Sequence, residues 1–223
     1  MSPKQVLILG LLLLVPIFAF IFLRYFGSNY YELKKFYPVL NPDTEEPMVQ
    51  NGDTLFQQIP DFRLVSQTGE QVTMQNLEGK IFVANFIFTS CKDVCKKMSS
   101  QMTRVQEAFH NDKNFRIVSF SVDPERDSVA VLQQYAARYG ADSKQWMFLT
   151  GPKKEIYDLA IHGFKLPVME TPSVIPDFIH SEKFVLVDSK RQVRGIYDGT
   201  SEDDVVRLIT EIKVLRKEKP DAE

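Results

Sequence analysis

The chain has 223 residues, 44% apolar and 25% charged, with 27 basic and 29 acidic side chains, three histidines and two cysteines. This composition excludes a disordered or fibrous protein and leaves room for one globular domain plus an attachment. Removing residues 1–28, which hold Lys4 and Arg24 and no acid, leaves 25 basic against 29 acidic side chains, a balance that excludes general affinity for nucleic acid or anionic lipid.

Val6 to Leu23 is a run of eighteen uncharged residues, fifteen of them Leu, Ile, Val or Phe. At about −0.45 kcal/mol for each apolar side chain the insertion preference is roughly −7 kcal/mol. A cleaved signal peptide is the competitor, but the run exceeds the usual length of such a region and no small-x-small cleavage pattern follows it. Residues 1–28 are therefore expected to form a single transmembrane anchor, with Tyr25, Phe26, Tyr30 and Tyr31 as an aromatic belt. Lys4 before the span against Arg24, Lys34 and Lys35 after it leans weakly toward a cytoplasmic domain. Large domains translocate largely regardless of such charges, so the count does not decide topology. Pro38, Pro42, Pro47 and Pro60 among polar residues give a linker composition, which sets expected boundaries of 29–54 for a linker, 55–216 for the domain and 217–223 for a polar tail.

Within the domain, Phe62 to Val65 and Gln71 to Met74 flank Gln67-Thr68-Gly69 and predict a hairpin. Ile81 to Phe88 is a nearly continuous apolar stretch, the pattern of a central strand covered on both faces. A helix is expected from near Cys91 to Phe109, a strand over Phe115 to Val122, a helix over Ser128 to Tyr139, a strand over Trp146 to Leu149 and a short helix over Lys153 to Ile161. A proline-rich excursion with Pro167, Pro172 and Pro176 ends at His180. Phe184 to Val187 and Val193 to Tyr197 predict a closing hairpin, and Ser201-Glu202-Asp203-Asp204 resembles a capping box opening the last helix.

The only two cysteines, Cys91 and Cys95, follow the apolar strand directly. On a helix starting near Cys91, positions i and i+4 would share one face at the N-terminus, where the helix dipole and Lys92, Lys96 and Lys97 favour thiolate. Two aligned thiolates can close a disulfide or clamp a soft metal. A structural staple across so short a loop stabilises by only roughly 2 kcal/mol, and burial of two free thiols sits poorly with the charged neighbours.

The β-β-α-β-α-β-α-β-β-α order resembles the thioredoxin-like fold, an α/β class, here with an N-terminal hairpin extension. Phe88-Thr89-Ser90-Cys91-Lys92-Asp93-Val94-Cys95, Ser121-Val122-Asp123-Pro124-Glu125-Arg126-Asp127, Asp177-Phe178-Ile179-His180-Ser181 and Tyr197-Asp198-Gly199-Thr200 resemble, in order and spacing, the signature segments of the Sco (SenC) family. The resemblance covers about residues 55–216. It implies a membrane-tethered copper metallochaperone that assists assembly of cytochrome c oxidase. Such a protein delivers copper to the dinuclear copper site, or reduces that site's cysteines. It also implies Cys91, Cys95 and His180 as copper ligands, the oxidase's copper-site subunit and a copper donor protein as partners, and a domain on the extracytoplasmic side, periplasmic or intermembrane. Soft thiolates suit Cu(I), and an imidazole would complete a site that also accepts Cu(II) with a further weak ligand; Asp93 could supply that oxygen, but a helix-surface carboxylate facing solvent is its better reading. The family usually has proline after each cysteine, where this chain has Lys92 and Lys96.

Other residues receive plainer readings. His110 and His162 are expected to face solvent or pack. Met98 and Met102 continue the cysteine stripe, and core packing accounts for them better than thioether ligation. Asp123 to Asp127 is read as a strand-to-helix turn in which Asp127 or Ser128 caps the next helix. The rival class is a thiol-disulfide oxidoreductase, or a redox sensor, using Cys91 and Cys95 as a redox-active dithiol. Thioredoxin-type catalysts carry two residues between their cysteines, not three, and no peroxidatic Pro-x-x-x-Thr/Ser-x-x-Cys pattern surrounds Cys91.

Overall fold

An uncharged run with no polar partner to offer can satisfy its backbone only within itself, and helix α1 (Pro3–Phe26) results. The computed structural model describes residues 2–26, 32–166 and 181–218. Pro3–Phe22 has a mean hydropathy of 2.7 and, among the described residues, no buried side chain; by length and composition it could cross a membrane. The chain divides into two compact units, Met1–Glu32 and Leu33–Glu223.

The second unit is built on a seven-stranded sheet. Its strands are β3 (Arg63–Ser66), β4 (Gln71–Thr73), β5 (Ile81–Ile87), β6 (Phe115–Ser121), β7 (Trp146–Thr150), β8 (Lys183–Val187) and β9 (Val193–Asp198), in the spatial order β4-β3-β7-β6-β5-β8-β9. A separate small hairpin precedes them, β1 (Val49–Gln50) with β2 (Asp53–Thr54). Strand β5 runs parallel to β6, and β6 to β7, while β8 and β9 are antiparallel additions on the other side of β5. This is the thioredoxin-like arrangement, with the β3/β4 hairpin added antiparallel at the β7 edge.

Alternation along β5 explains why it reads as continuously apolar. Val83 and Ile87 enter one core with residues of α2 (Val94–Ala108), α3 (Val129–Arg138) and α5 (Glu202–Leu215). Phe82, Ala84 and Phe86 enter another with Phe120, Phe164 and residues of α4 (Lys153–Asp158). Helix α2 buries Cys95, Met98, Met102 and Val105 at helical spacing; Met98 and Met102 are 1% and 0% exposed, so they fill the core as expected. Ser128 caps α3 by accepting from the Val131 N–H, and Ser201 caps α5 by accepting from the Asp204 N–H.

Three features differ from the expected pattern. Residues 33–54, with the composition of a linker, lie in the second unit, and Leu33 is buried there. Their backbone groups are matched by isolated antiparallel bridges, Pro38 with Phe56 and Leu40 with Pro47, and by the Phe36 N–H donating to the Val193 carbonyl. The Leu33 N–H donates to Glu218, while its carbonyl accepts from Arg194, which also pairs with Asp188 and Glu218. Helix α4 runs on into a π turn, Leu159–Gly163. Helix α2 begins at Val94 rather than near Cys91.

Candidate metal centre

Strand β5 ends at Ile87, and the chain leaves it through a tight turn in which the Cys91 N–H donates to the Phe88 carbonyl at 3.2 Å. Asp93 occupies the position that normally caps a helix, but its side chain makes no capping bond. The Cys91 sulfur does that work instead, accepting the Cys95 N–H at 3.3 Å. The sulfur thereby satisfies one of the donors that every helix N-terminus leaves orphaned. The Cys91 sulfur thus lies at the start of the helix that carries Cys95, and Cys91 itself lies before that helix rather than on it.

The two thiols are unlike each other. Cys91 is half-buried and Cys95 buried, and both are free. Burial pushes the Cys95 thiol up to about 12; a Phe88 backbone hydrogen bond opposes the rise, and Cys91 and Asp127 add to it. This corrects the expectation that the helix terminus and the lysines would favour thiolate at both positions: desolvation outweighs them at Cys95. Lys92, Lys96 and Lys97 are exposed around the turn, as is Asp93.

The turn is held from behind by residues whose part in the site sequence reasoning missed, among them Asp127, which it read as a helix cap. Asp127 is fully buried and does not cap α3. Its Oδ1 accepts from the Thr89 hydroxyl at 2.5 Å, and its Oδ2 accepts from the Thr89 N–H at 3.1 Å and the Ser121 hydroxyl at 2.5 Å. The available signal was two small hydroxyl residues, Thr89 and Ser121, beside strand ends that parallel pairing sets together. On the far side, Tyr135 donates to the Cys95 carbonyl at 3.3 Å and shares a 2.9 Å hydrogen bond with Ser99.

His180 lies outside the described residues. Ser181, immediately after it, is buried, and the strand that follows is antiparallel to β5, with Ala84 facing Val185 and Phe82 facing Val187. The start of β8 is thus beside the end of β5 from which the cysteine turn departs. His110 is exposed and bonds Asn111 and the Glu107 carbonyl, and His162 is exposed at the π turn. Among the described residues no group of three His, Cys, Asp or Glu side chains could hold a metal ion.

A family model described as SCO1/SenC matches residues 51–215. The SCO1 protein homolog of Bacillus subtilis is 33% identical over 166 residues, covering 74% of this chain and 86% of that protein. A SCO2-like protein of Rickettsia prowazekii is 33% identical over 153 residues, 66% of this chain and 73% of its own. Among solved structures, a SCO1/SenC family lipoprotein from Bacillus anthracis superposes with a TM-score of 0.65 at 29% identity, over 72% of this chain and 95% of that one. BsSco, described as a member of the Sco family of cytochrome c oxidase assembly proteins with a disulfide switch, gives 0.63 at 32% identity over 73% and 95%. Arabidopsis thaliana ScoI with copper bound gives 0.59 at 26% identity over 73% and 100%.

Proposed function

The chain belongs to the SCO1/SenC family, and from that premise we propose that it is a membrane-anchored copper metallochaperone that assists assembly of the dinuclear copper site of cytochrome c oxidase. The observation that carries the reading is the placement of the Cys91 sulfur on the N–H of Cys95, which brings two soft donors to one helix end. His180 is the proposed third ligand. Support comes from the antiparallel pairing of β8 with β5, which brings Ser181, its chain neighbour, toward the end of β5 that carries the cysteine turn.

Copper is the cargo. When it loads, Cys95 gives up a proton that its burial otherwise retains, so binding releases acid and strengthens as pH rises. Cys91, half-buried in the turn, is the sulfur that an incoming donor or acceptor protein meets first. The lysines around it offset the negative charge of a Cu(I)-bis-thiolate centre. Helix α1 is the proposed anchor, with residues 55–216 as the copper-binding domain on the extracytoplasmic side. The proposed partners are the oxidase's copper-site subunit and a copper donor protein.

The asymmetry of the two thiols also favours a second activity, reduction of a partner disulfide. Cys91 as thiolate attacks, one partner sulfur leaves as a thiolate, and Cys95, on losing its proton, displaces the second, so two electrons pass to the partner and Cys91 and Cys95 become a disulfide. Anaerobic Cu(I) titration of the reduced full chain in detergent, against Cys91→Ser, Cys95→Ser and His180→Ala, separates the readings. One tight equivalent, weakened at least about tenfold in all three variants, is expected for the metallochaperone. Binding indifferent to His180, with brisk reduction of a disulfide by the metal-free dithiol, would leave the reductase.

A further inference from the structure

We infer that Asp127 is the positioning residue of the Cys91–Cys95 site, its buried carboxylate holding the turn that aims the Cys91 sulfur. The inference deepens the reading of that site given above, though its first test requires no metal.

An aspartate beside a serine at the start of a helix ordinarily spends its carboxylate on that helix's free N–H groups. Asp127 does not, because Ser128 takes that task at Val131. Its two oxygens instead take both the N–H and the hydroxyl of Thr89, at 3.1 and 2.5 Å, in a residue 38 positions away. Thr89 is thus fixed in backbone and in side chain by one group that is itself 0% exposed. The remaining bond, from the Ser121 hydroxyl, ties the same carboxylate to the end of β6, and that hydroxyl in turn accepts the Asp123 N–H at 3.2 Å.

The path to the sulfur is short and continuous. Thr89 is the second residue after β5, Phe88 accepts the Cys91 N–H, and the Cys91 sulfur accepts the Cys95 N–H. Asp127 touches neither sulfur by any hydrogen bond described; apart from the repulsion its charge adds at Cys95, its hold on the site passes through Thr89. Nor is the carboxylate needed to close the parallel ladder, which pairs Ile87 with Ser121 through the backbone. Burying a carboxylate against three donors is costly unless every bond is made, and here two of the three hold the turn that carries Cys91 while the third anchors the carboxylate to the end of β6.

The test is the dithiol–disulfide equilibrium of the full chain in glutathione buffer. Each turnover consumes one glutathione disulfide, forms the Cys91–Cys95 bond, and passes two electrons and two thiol protons to two glutathione molecules. Releasing the turn lowers the effective concentration of one sulfur at the other. Asp127→Asn and Thr89→Val are each expected to lower the constant for disulfide formation about tenfold, ~30 mV for a two-electron couple. The double variant should fall no further than the larger single one. Thr89→Ser, which keeps both donors, should restore it to within about twofold of the parent. Glu218→Gln, which removes the charge from a part-buried ion pair elsewhere, should lower thermal stability and leave the constant unmoved. A constant unchanged in Asp127→Asn and Thr89→Val, additive effects in the double variant, or an equal fall in Glu218→Gln would overturn the inference. If Asp127→Asn fails to fold, the contrast of Thr89→Val with Thr89→Ser decides it. Copper is titrated separately: a parent chain that takes no copper sinks the metallochaperone reading and leaves the redox result standing.

Discussion

The phenol of Tyr135 reaches from α3 to the carbonyl of Cys95 at 3.3 Å, with Ser99 one helical turn further on sharing the same hydroxyl at 2.9 Å. The first turns of α2 are therefore fixed to a neighbouring helix at the point where the buried sulfur is carried. Tyr135→Phe removes that hydroxyl and leaves the Ser99 oxygen without this partner in a buried place. A loss of about 1–3 kcal/mol is expected from urea unfolding at pH 7.

Cys95 sets a pH dependence of known sign. Its thiol sits at about 12 in the fold against an ordinary 9.0, so between those values the folded chain holds a proton that the unfolded chain has released. Its contribution is fully present below pH 9 and is lost as pH climbs toward 12. Tyr135 and Tyr197 are raised by burial as well and push the same way. The comparison is therefore with Cys95→Ala: between pH 8 and 10.5 the parent should lose stability more steeply than the variant.

Arg194 is 4% exposed and joins Asp188 at 3.1 Å, Glu218 at 2.7 Å and the Leu33 carbonyl at 2.7 Å. Arg194→Met would leave two little-exposed carboxylates without this cation. A cost of about 3–5 kcal/mol is expected. Limited proteolysis should register it as new cleavage within residues 33–58, whose first residue the arginine holds.

Met98→Leu and Met102→Leu test whether either thioether belongs to the metal. Both side chains are buried in the core below the cysteines. Each swap should cost less than about 1.5 kcal/mol and leave the Cu(I) affinity within about twofold of the parent. A tenfold loss of affinity in a variant of unchanged stability would put sulfur from α2's core face into the site.

What could be read ahead of the structure followed from periodicity. The β3/β4 hairpin, β5 through β9 and the helices between them carry alternating, continuous or helical apolar patterns; each strand lies within about one residue of its expected place and each helix within about three. What could not be read depended on partners distant in sequence. The segment after Leu33 has few apolar residues of its own and is ordered by bonds to Val193, Arg194 and Glu218, more than 150 positions away. Asp127 carries an ordinary capping pattern, and only the pairing of β5 with β6 brings Thr89 within its reach. The start of α2 was displaced because a sulfur, not the side chain beside the first turn, satisfies the helix. Within the site, the cysteine pair was legible from spacing, whereas the unequal burial of its members was not.

Because Cys91 stands in a turn while Cys95 stands in a helix, the pair works as a caliper with one fixed jaw and one movable jaw. A disulfide needs its sulfurs about 2.05 Å apart, whereas two sulfurs that held the proposed copper between them would stand further from each other. Had both cysteines lain on one regular helix, passing between these spans would have meant unwinding it. Here a few torsions between Ser90 and Asp93, beyond the Thr89 that Asp127 holds, can open or close the gap, while α2 stays wound and packed on its core.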